Sequence, residues 1–304
     1  MRRRAVVVIL AEVLCAIALG AQGASGPMTM PYSRTTLVPT AYSDSLAEFA
    51  ARVHPMVEAF RDQSTAVAAG YRRVGMDFPS MGEHWLNTSL LFLNRFDIAK
   101  PAMLSYATIE GRPVLTGVVY ALLLKPGELP PPVPGGRGMW HDHSGTLDAE
   151  SALPVHHGAK SDTSAMRFVV LHAWVGIPNP AGLFEADNWA LPYARVGVPL
   201  PAPVSISAAR ALSLLSGAKA YYVALAEAEG AARDAVAPAL DSGARLAAPI
   251  AERMRVSGSS APADVAALEA AWRTALNSIA LVSGTSVAAR LNGGTMDASP
   301  AHAH

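Results

Sequence analysis

Met103-Leu104-Ser105-Tyr106-Ala107-Thr108-Ile109, then Glu110-Gly111-Arg112-Pro113, then Val114-Leu115-Thr116-Gly117-Val118-Val119-Tyr120-Ala121-Leu122-Leu123-Leu124 is the stretch on which the fold depends. β-Branched and aromatic side chains dominate both arms, and Gly111 and Pro113 interrupt them, so the stretch predicts a β-hairpin. The unbroken apolar run of the second arm predicts a strand covered on both faces. A third run of the same character, Met166 to Val175, predicts another buried strand that delivers His172 near its end.

Outward from this sheet the periodicity changes. Leu46, Phe49, Val53, Val57 and Phe60 follow helical spacing behind the N-cap candidates Ser43-Asp44-Ser45, with a break after His54 imposed by Pro55 and a stop at Gly70. On the other side the chain turns alanine-rich, and helical tracts are predicted over Ser207 to Glu229, Ala231 to Met254 and Ala263 to Ser283, with Ser257 to Pro262 as a linker. Leu212, Leu215, Tyr222 and Leu225 in the first, and Val265, Leu268, Trp272, Leu276 and Ile279 in the last, form apolar stripes. The expectation is therefore an α+β protein. A central, mainly antiparallel β-sheet, open or barrel-like, is flanked by an N-terminal helical segment and a C-terminal helical hairpin or bundle.

The ends of the chain are read differently. Arg2-Arg3-Arg4, an apolar run from Ala5 to Leu19 and the small residues Ala21 to Ala24 have the form of a cleavable secretory signal. The run is short for a bilayer span, which takes about 20 apolar residues. The expected organisation is a signal peptide at 1–23, a flexible lead at 24–40, a helix-plus-sheet domain at 41–204, a helical section at 205–292 and a disordered tail at 293–304. Export to the periplasm or beyond follows, with no stable membrane span after cleavage. Cys15, the single cysteine, lies inside the signal, which excludes disulfides, thiolate metal sites and cysteine nucleophiles from the mature chain. Without Arg2, Arg3, Arg4 and Glu12, the remaining 21 basic and 23 acidic residues leave a formal charge of −2, which argues against nucleic-acid partners.

Six of the nine histidines fall between Met81 and Val198, three of the segments that carry them also holding a tryptophan: Glu83-His84-Trp85, Trp140-His141-Asp142-His143 and His172-Ala173-Trp174. His141 and His143, two apart, share one face of an extended strand, about 7 Å between Cα atoms. With His84 and His172, and with Glu83, Glu185 or Asp187 as oxygen donor, they make a ligand set for zinc, copper, manganese or iron. The bland alternative is that each histidine is a hydrogen-bonded core residue or a solvated loop residue. His54 belongs most simply to its helix junction, and His156-His157 to a polar loop. No nucleophile elbow and no lysine-bearing phosphate loop is present.

Met81-Gly82-Glu83-His84-Trp85-Leu86-Asn87, Gly117-Val118-Val119-Tyr120, and Leu171-His172-Ala173-Trp174 leading to Asn179-Pro180-Ala181-Gly182-Leu183-Phe184 resemble, in that order, the motifs of a family of uncharacterised exported bacterial proteins. Its members carry Met-Gly-x-His-Tyr-x-Asn, Gly-Val-Glu-Tyr and His-x-Trp followed by Asn-Pro-x-Gly-x-Phe. The resemblance covers roughly residues 59–188 and makes His84 and His172 the matched histidines. The chain departs from the pattern at Val119, where the family often has glutamate, and it adds Trp140-His141-Asp142-His143. The functional expectation is an exported protein binding a transition-metal ion or a small molecule. Its metal ligands would be drawn from His84, His141, His143, His172, Glu83 and Glu185, and activation of water or oxygen by the ion would make it an enzyme. The alternative is a metal-free envelope protein, either structural or binding a ligand in a cleft lined by Trp85, Trp140, Trp174 and Trp189.

Overall fold

The computed structural model describes residues 36–37, 44–142, 166–201 and 204–292. His143, His156, His157, the predicted signal segment and the predicted C-terminal tail lie outside the described residues. The chain is α+β, as its periodicities predict.

The predicted hairpin forms β4 (Met103–Ile109) and β5 (Arg112–Leu124), joined at Glu110 and Gly111, which have φ of 50° and 73°. These strands are the middle of a six-stranded antiparallel sheet. The others are β2 (Arg72–Phe78), β3 (Gly82–Leu86), β6 (His141–Asp142) and β7 (Arg167–Ala173), in the order β2-β3-β4-β5-β7-β6. The sheet is open, not closed into a barrel. Two of its strands went unread in the sequence. The β2–β3 hairpin holds Arg72, Arg73, Asp77 and Glu83 at an edge, where one-sided exposure erases the apolar run that marks a central strand.

Before the sheet come α1 (Asp44–Val53), α2 (Pro55–Ala59) and α3 (Gln63–Ala68). The break at Pro55 falls where expected, and a second follows because the Asp62 side chain accepts from the Ser64 amide and starts a new helix. Phe49 and Val53 from the first helix, with Tyr71 just before β2, are buried against Leu104, Tyr106, Val118, Tyr120 and Leu171, which point from one sheet face. The short helix α4 (Thr88–Leu93) follows β3, capped by the Asn87 side chain. Its Leu91 joins Leu86, Met103, Val119, Ala121 and Val170 on the opposite face.

The C-terminal section contains α6 (Ile206–Leu215), α7 (Lys219–Ala228), α8 (Arg233–Ser257), α9 (Pro262–Ser283) and α10 (Thr285–Leu291), preceded by α5 (Leu191–Arg195). The first predicted tract is thus two helices, parted at Ser216-Gly217-Ala218. Leu212, Tyr222, Leu240, Leu268, Trp272 and Ile279 fill the bundle core, and Phe78, Met81, Trp174 and Trp189 connect that core to the sheet. Within the predicted flexible lead, β1 (Thr36–Leu37) pairs antiparallel with β8 (Val204–Ser205), so that part of the lead is tied down.

Gly176 fixes the exit from β7. Its amide and that of Ile177 both donate to the Thr116 carbonyl at 3.0 Å, and a Cβ at Gly176 would lie 1.9 Å from the Leu115 carbonyl oxygen. Backbone cannot yield as a side-chain tip can. Gly176→Ala is expected to cost about 3 kcal/mol, measured as a fall in the thermal midpoint of about 10 °C, while Gly127→Ala tests an open turn instead.

Candidate functional site

Alternation along the strands sets one imidazole beside another. On β3, His84 and Leu86 share a face. Leu86 pairs with Met103, Met103 with Val119 and Val119 with His172, so His84 and His172 look out from the same side of the sheet. His141 pairs with Val170, two residues from His172, and joins that side too. The His84 and His172 rings stand 5.7 Å apart by centroid, and the His172 and His141 rings 5.9 Å. His172 is the middle of the row. Two strands separate β3 from β7, and the residues between, Ser105 paired with Gly117, are small enough for the rings to lean together.

Each imidazole is held by its surroundings. His172, 2% exposed, stacks on Trp174 at 5.5 Å with an interplanar angle of 5°. Trp174 in turn donates its indole N–H to the Glu185 carbonyl at 2.5 Å and lies over Gly117, where a Cβ would come 3.1 Å from the indole ring and 2.7 Å from the Ala173 carbonyl oxygen. A side chain at Gly117 would therefore displace the stack. His141 is buried, and its Nε2 sits 3.2 Å from the Phe184 carbonyl. His84 is half-buried next to Phe78, and burial pushes its pKa down to about 4 against a smaller opposing effect of the Asp77 carboxylate. It is therefore neutral at pH 7, the form that binds a metal.

The carboxylates divide. Glu83 is next to His84 in a strand and so faces the other side, where it pairs with Arg73 at 3.2 Å and receives the Trp85 indole N–H at 3.4 Å. The expectation that Glu83 joins the histidines is corrected by this alternation. Glu185 reaches the site's edge through its backbone contact with Trp174, and burial followed by the charge of Asp187 raises its carboxyl pKa. Asp187, 3% exposed, accepts the Ser80 hydroxyl at 2.5 Å. Asn179 and Asn188 brace the intervening loop: Asn179 donates to the Asp187 carbonyl at 2.7 Å, and Asn188 to the Ile177 carbonyl at 2.7 Å. The Asn-Pro-x-Gly-x-Phe segment is thereby a loop frame that places the Phe184 and Glu185 carbonyls against the histidine and tryptophan rings.

The four tryptophans do not share a cleft. Trp85 and Trp140 pack on the side of the N-terminal helices, and Trp174 and Trp189 pack toward the C-terminal bundle. His54 is exposed at its helix junction, apart from the sheet histidines. Among the described residues, no group of three or more His, Cys, Asp or Glu could hold a metal ion as the side chains stand. None of their helices is long and apolar enough to cross a membrane.

Sequence reasoning missed Asp77, Ser80 and Arg195, which position β2 and the loop beneath the site. Arg195 donates to both Asp77 carboxylate oxygens at 2.5 and 2.9 Å and to the Phe78 and Pro79 carbonyls. Nothing in local spacing links residues more than a hundred positions apart.

Because His84 has a folded pKa below its unfolded value of about 6.5, the unfolded chain takes up the proton first. Its stabilising contribution is complete above pH 6.5 and is lost as pH falls through 4. Denaturant unfolding of metal-free protein is expected to show about 2 kcal/mol less stability from this group at pH 4.5 than at pH 7. That difference should disappear in His84→Gln.

No family model, curated protein or solved structure matches this chain.

Proposed function

We propose that this is an exported protein that binds a transition-metal ion through His84, His172 and His141. The observation that carries the reading is the row of three imidazoles, from three strands, with neighbouring ring centroids 5.7 and 5.9 Å apart. Two imidazoles bonded to one ion at about 2.1 Å place their centroids about 5–6 Å apart. The Phe184 carbonyl beside His141 Nε2 would act as an outer partner that orients the ring. Neutral His84 requires no proton release at pH 7. Zinc or copper suits an imidazole set best, and Glu185, whose backbone carbonyl meets Trp174, is the carboxylate of the expected set left to complete it. A bound ion would supply Lewis acidity, with Glu185, whose carboxyl pKa is raised by burial and then by Asp187, at the site's edge.

A metal-free pocket is the second reading. It draws on the stacking of His172 on Trp174 and the engagement of His141 by Phe184, which already give both rings structural roles. Titration of tag-free, metal-free protein with zinc, copper or manganese separates the two. Saturable binding with a midpoint rise of about 5–10 °C is expected for at least one ion. The same midpoint with and without all three would leave the metal-free reading.

A further inference from the structure

On the sheet face opposite the histidine row, a cavity of about 390 Å³ lies between the chain that leaves α4 and the proline-rich loop after β5. Its size falls within the range of small-molecule sites, about 300–1,000 Å³. Leu122 and Leu124, both buried, belong to its lining with the half-buried Phe96 ring, Pro130 and Pro131. Leu129, also in the lining and 67% exposed, stands where it opens to solvent.

Both walls are held. Asn94 ends α4 in the left-handed region at φ 48°, and its carboxamide exchanges two hydrogen bonds with the Leu123 backbone, at 2.7 and 2.9 Å. Three side chains pin the loop: Arg167 donates to the Glu128 carbonyl, Arg137 to that of Pro130 at 2.9 Å and Trp140 to that of Pro131 at 3.0 Å. A wall fixed in advance costs a ligand little ordering entropy.

The charges select what fits. Arg95 and Arg137 line the cavity with one acid, Glu128. Arg95 shares its charge with Asp97 at 3.2 Å, and the Glu128 carboxylate accepts the Lys125 amide at 2.9 Å. Arg137 uses Nε on the loop, and among the described residues no hydrogen bond or ion pair engages its Nη1 or Nη2, the pair that meets a carboxylate end-on. One guanidinium is thus left for one negative charge, while Glu128 disfavours a second.

We infer that this cavity binds a small organic monocarboxylate, its apolar body against Phe96, Leu122 and Pro130 and its carboxylate on Nη1 and Nη2 of Arg137. The site shares no residue with the histidine row and is independent of the metal reading.

The test is calorimetric titration of the full-length protein, in chelator, with sodium benzoate, benzyl alcohol and sodium phosphate, at an ionic strength matched with sodium chloride. Benzoate is expected to bind saturably at one site per chain, at least about tenfold more tightly than benzyl alcohol, which has the ring without the charge, and phosphate to give no saturable heat. Arg137→Gln removes the cation, and Leu129→Glu sets a further carboxylate at the opening; each should raise the benzoate half-saturation at least about tenfold. Arg61→Gln, which removes an exposed arginine elsewhere, should leave it within about twofold. Should Arg137→Gln lower the thermal midpoint, Leu129→Glu decides alone. The inference is overturned by the absence of saturable benzoate heat, by equal affinity for benzyl alcohol or phosphate, by unchanged half-saturation in the deciding variant, or by an equal rise in Arg61→Gln. The His84→Ala/His172→Ala variant should keep the benzoate response, so failure of the metal reading leaves this one standing; loss of the response there would place binding at the histidines and overturn it.

Discussion

Arg195→Met is expected to lower the unfolding free energy by about 3 kcal/mol, the lower end of what breaking a buried ion pair costs. The lower end applies because the Arg195 side chain is 6% exposed but Asp77 is 34% exposed, so water rescues part of the orphaned carboxylate. The arginine makes four hydrogen bonds, two to Asp77 and one each to the Phe78 and Pro79 carbonyls, and so joins α5 to the end of β2. Methionine keeps most of the apolar stem and loses all four. The Asp77 charge, no longer neutralised, would act more strongly on His84 and raise its pKa toward the unfolded value, so the part of the acid destabilisation that comes from this group should shrink. Urea unfolding at pH 7, with Arg195→Lys as the charge-keeping comparison, measures the first effect. An unchanged midpoint for Arg195→Met would show that α5 is held by its apolar contacts alone.

His172→Ala is expected to weaken metal binding on the order of 100-fold or more. Loss of an outer-shell partner alone typically costs about 10–100-fold, and His172 is the ring that touches both others. Glu83→Ala should change affinity by less than about tenfold, because that carboxylate is spent on Arg73 and Trp85 across the sheet. Competition titration with a chromophoric chelator at pH 7 measures both. Equal losses for the two variants would contradict the assignment of faces.

Much of this architecture was legible because it is local. The apolar runs around Glu110-Gly111 and along Arg167–Ala173 can only be strands, and the alanine-rich stripes can only be helices that pack. The β2–β3 hairpin was not legible, since edge exposure and charges replace its apolar run. The gathering of His84, His141 and His172 was anticipated as segments, but which side each takes depends on the register of five strands. The placement of Glu83 shows the limit: adjacency to His84 in sequence guarantees opposite faces once the segment is a strand. The Asp77–Arg195 clamp depends on tertiary contacts with no periodic signature. Val119 is buried on the histidine side, paired with His172 itself. In this chain that position contributes an apolar wall, and His141 stands on the far side of His172 from it.

Whether the histidine row holds a metal is measured most directly by elemental analysis of the protein, purified without an affinity tag, beside the His84→Ala/His172→Ala variant. One transition-metal ion per chain is expected in the first and little in the second. Metal-free native protein that also takes up no added zinc, copper or manganese would contradict this and leave the three imidazoles as packing and hydrogen-bonding residues.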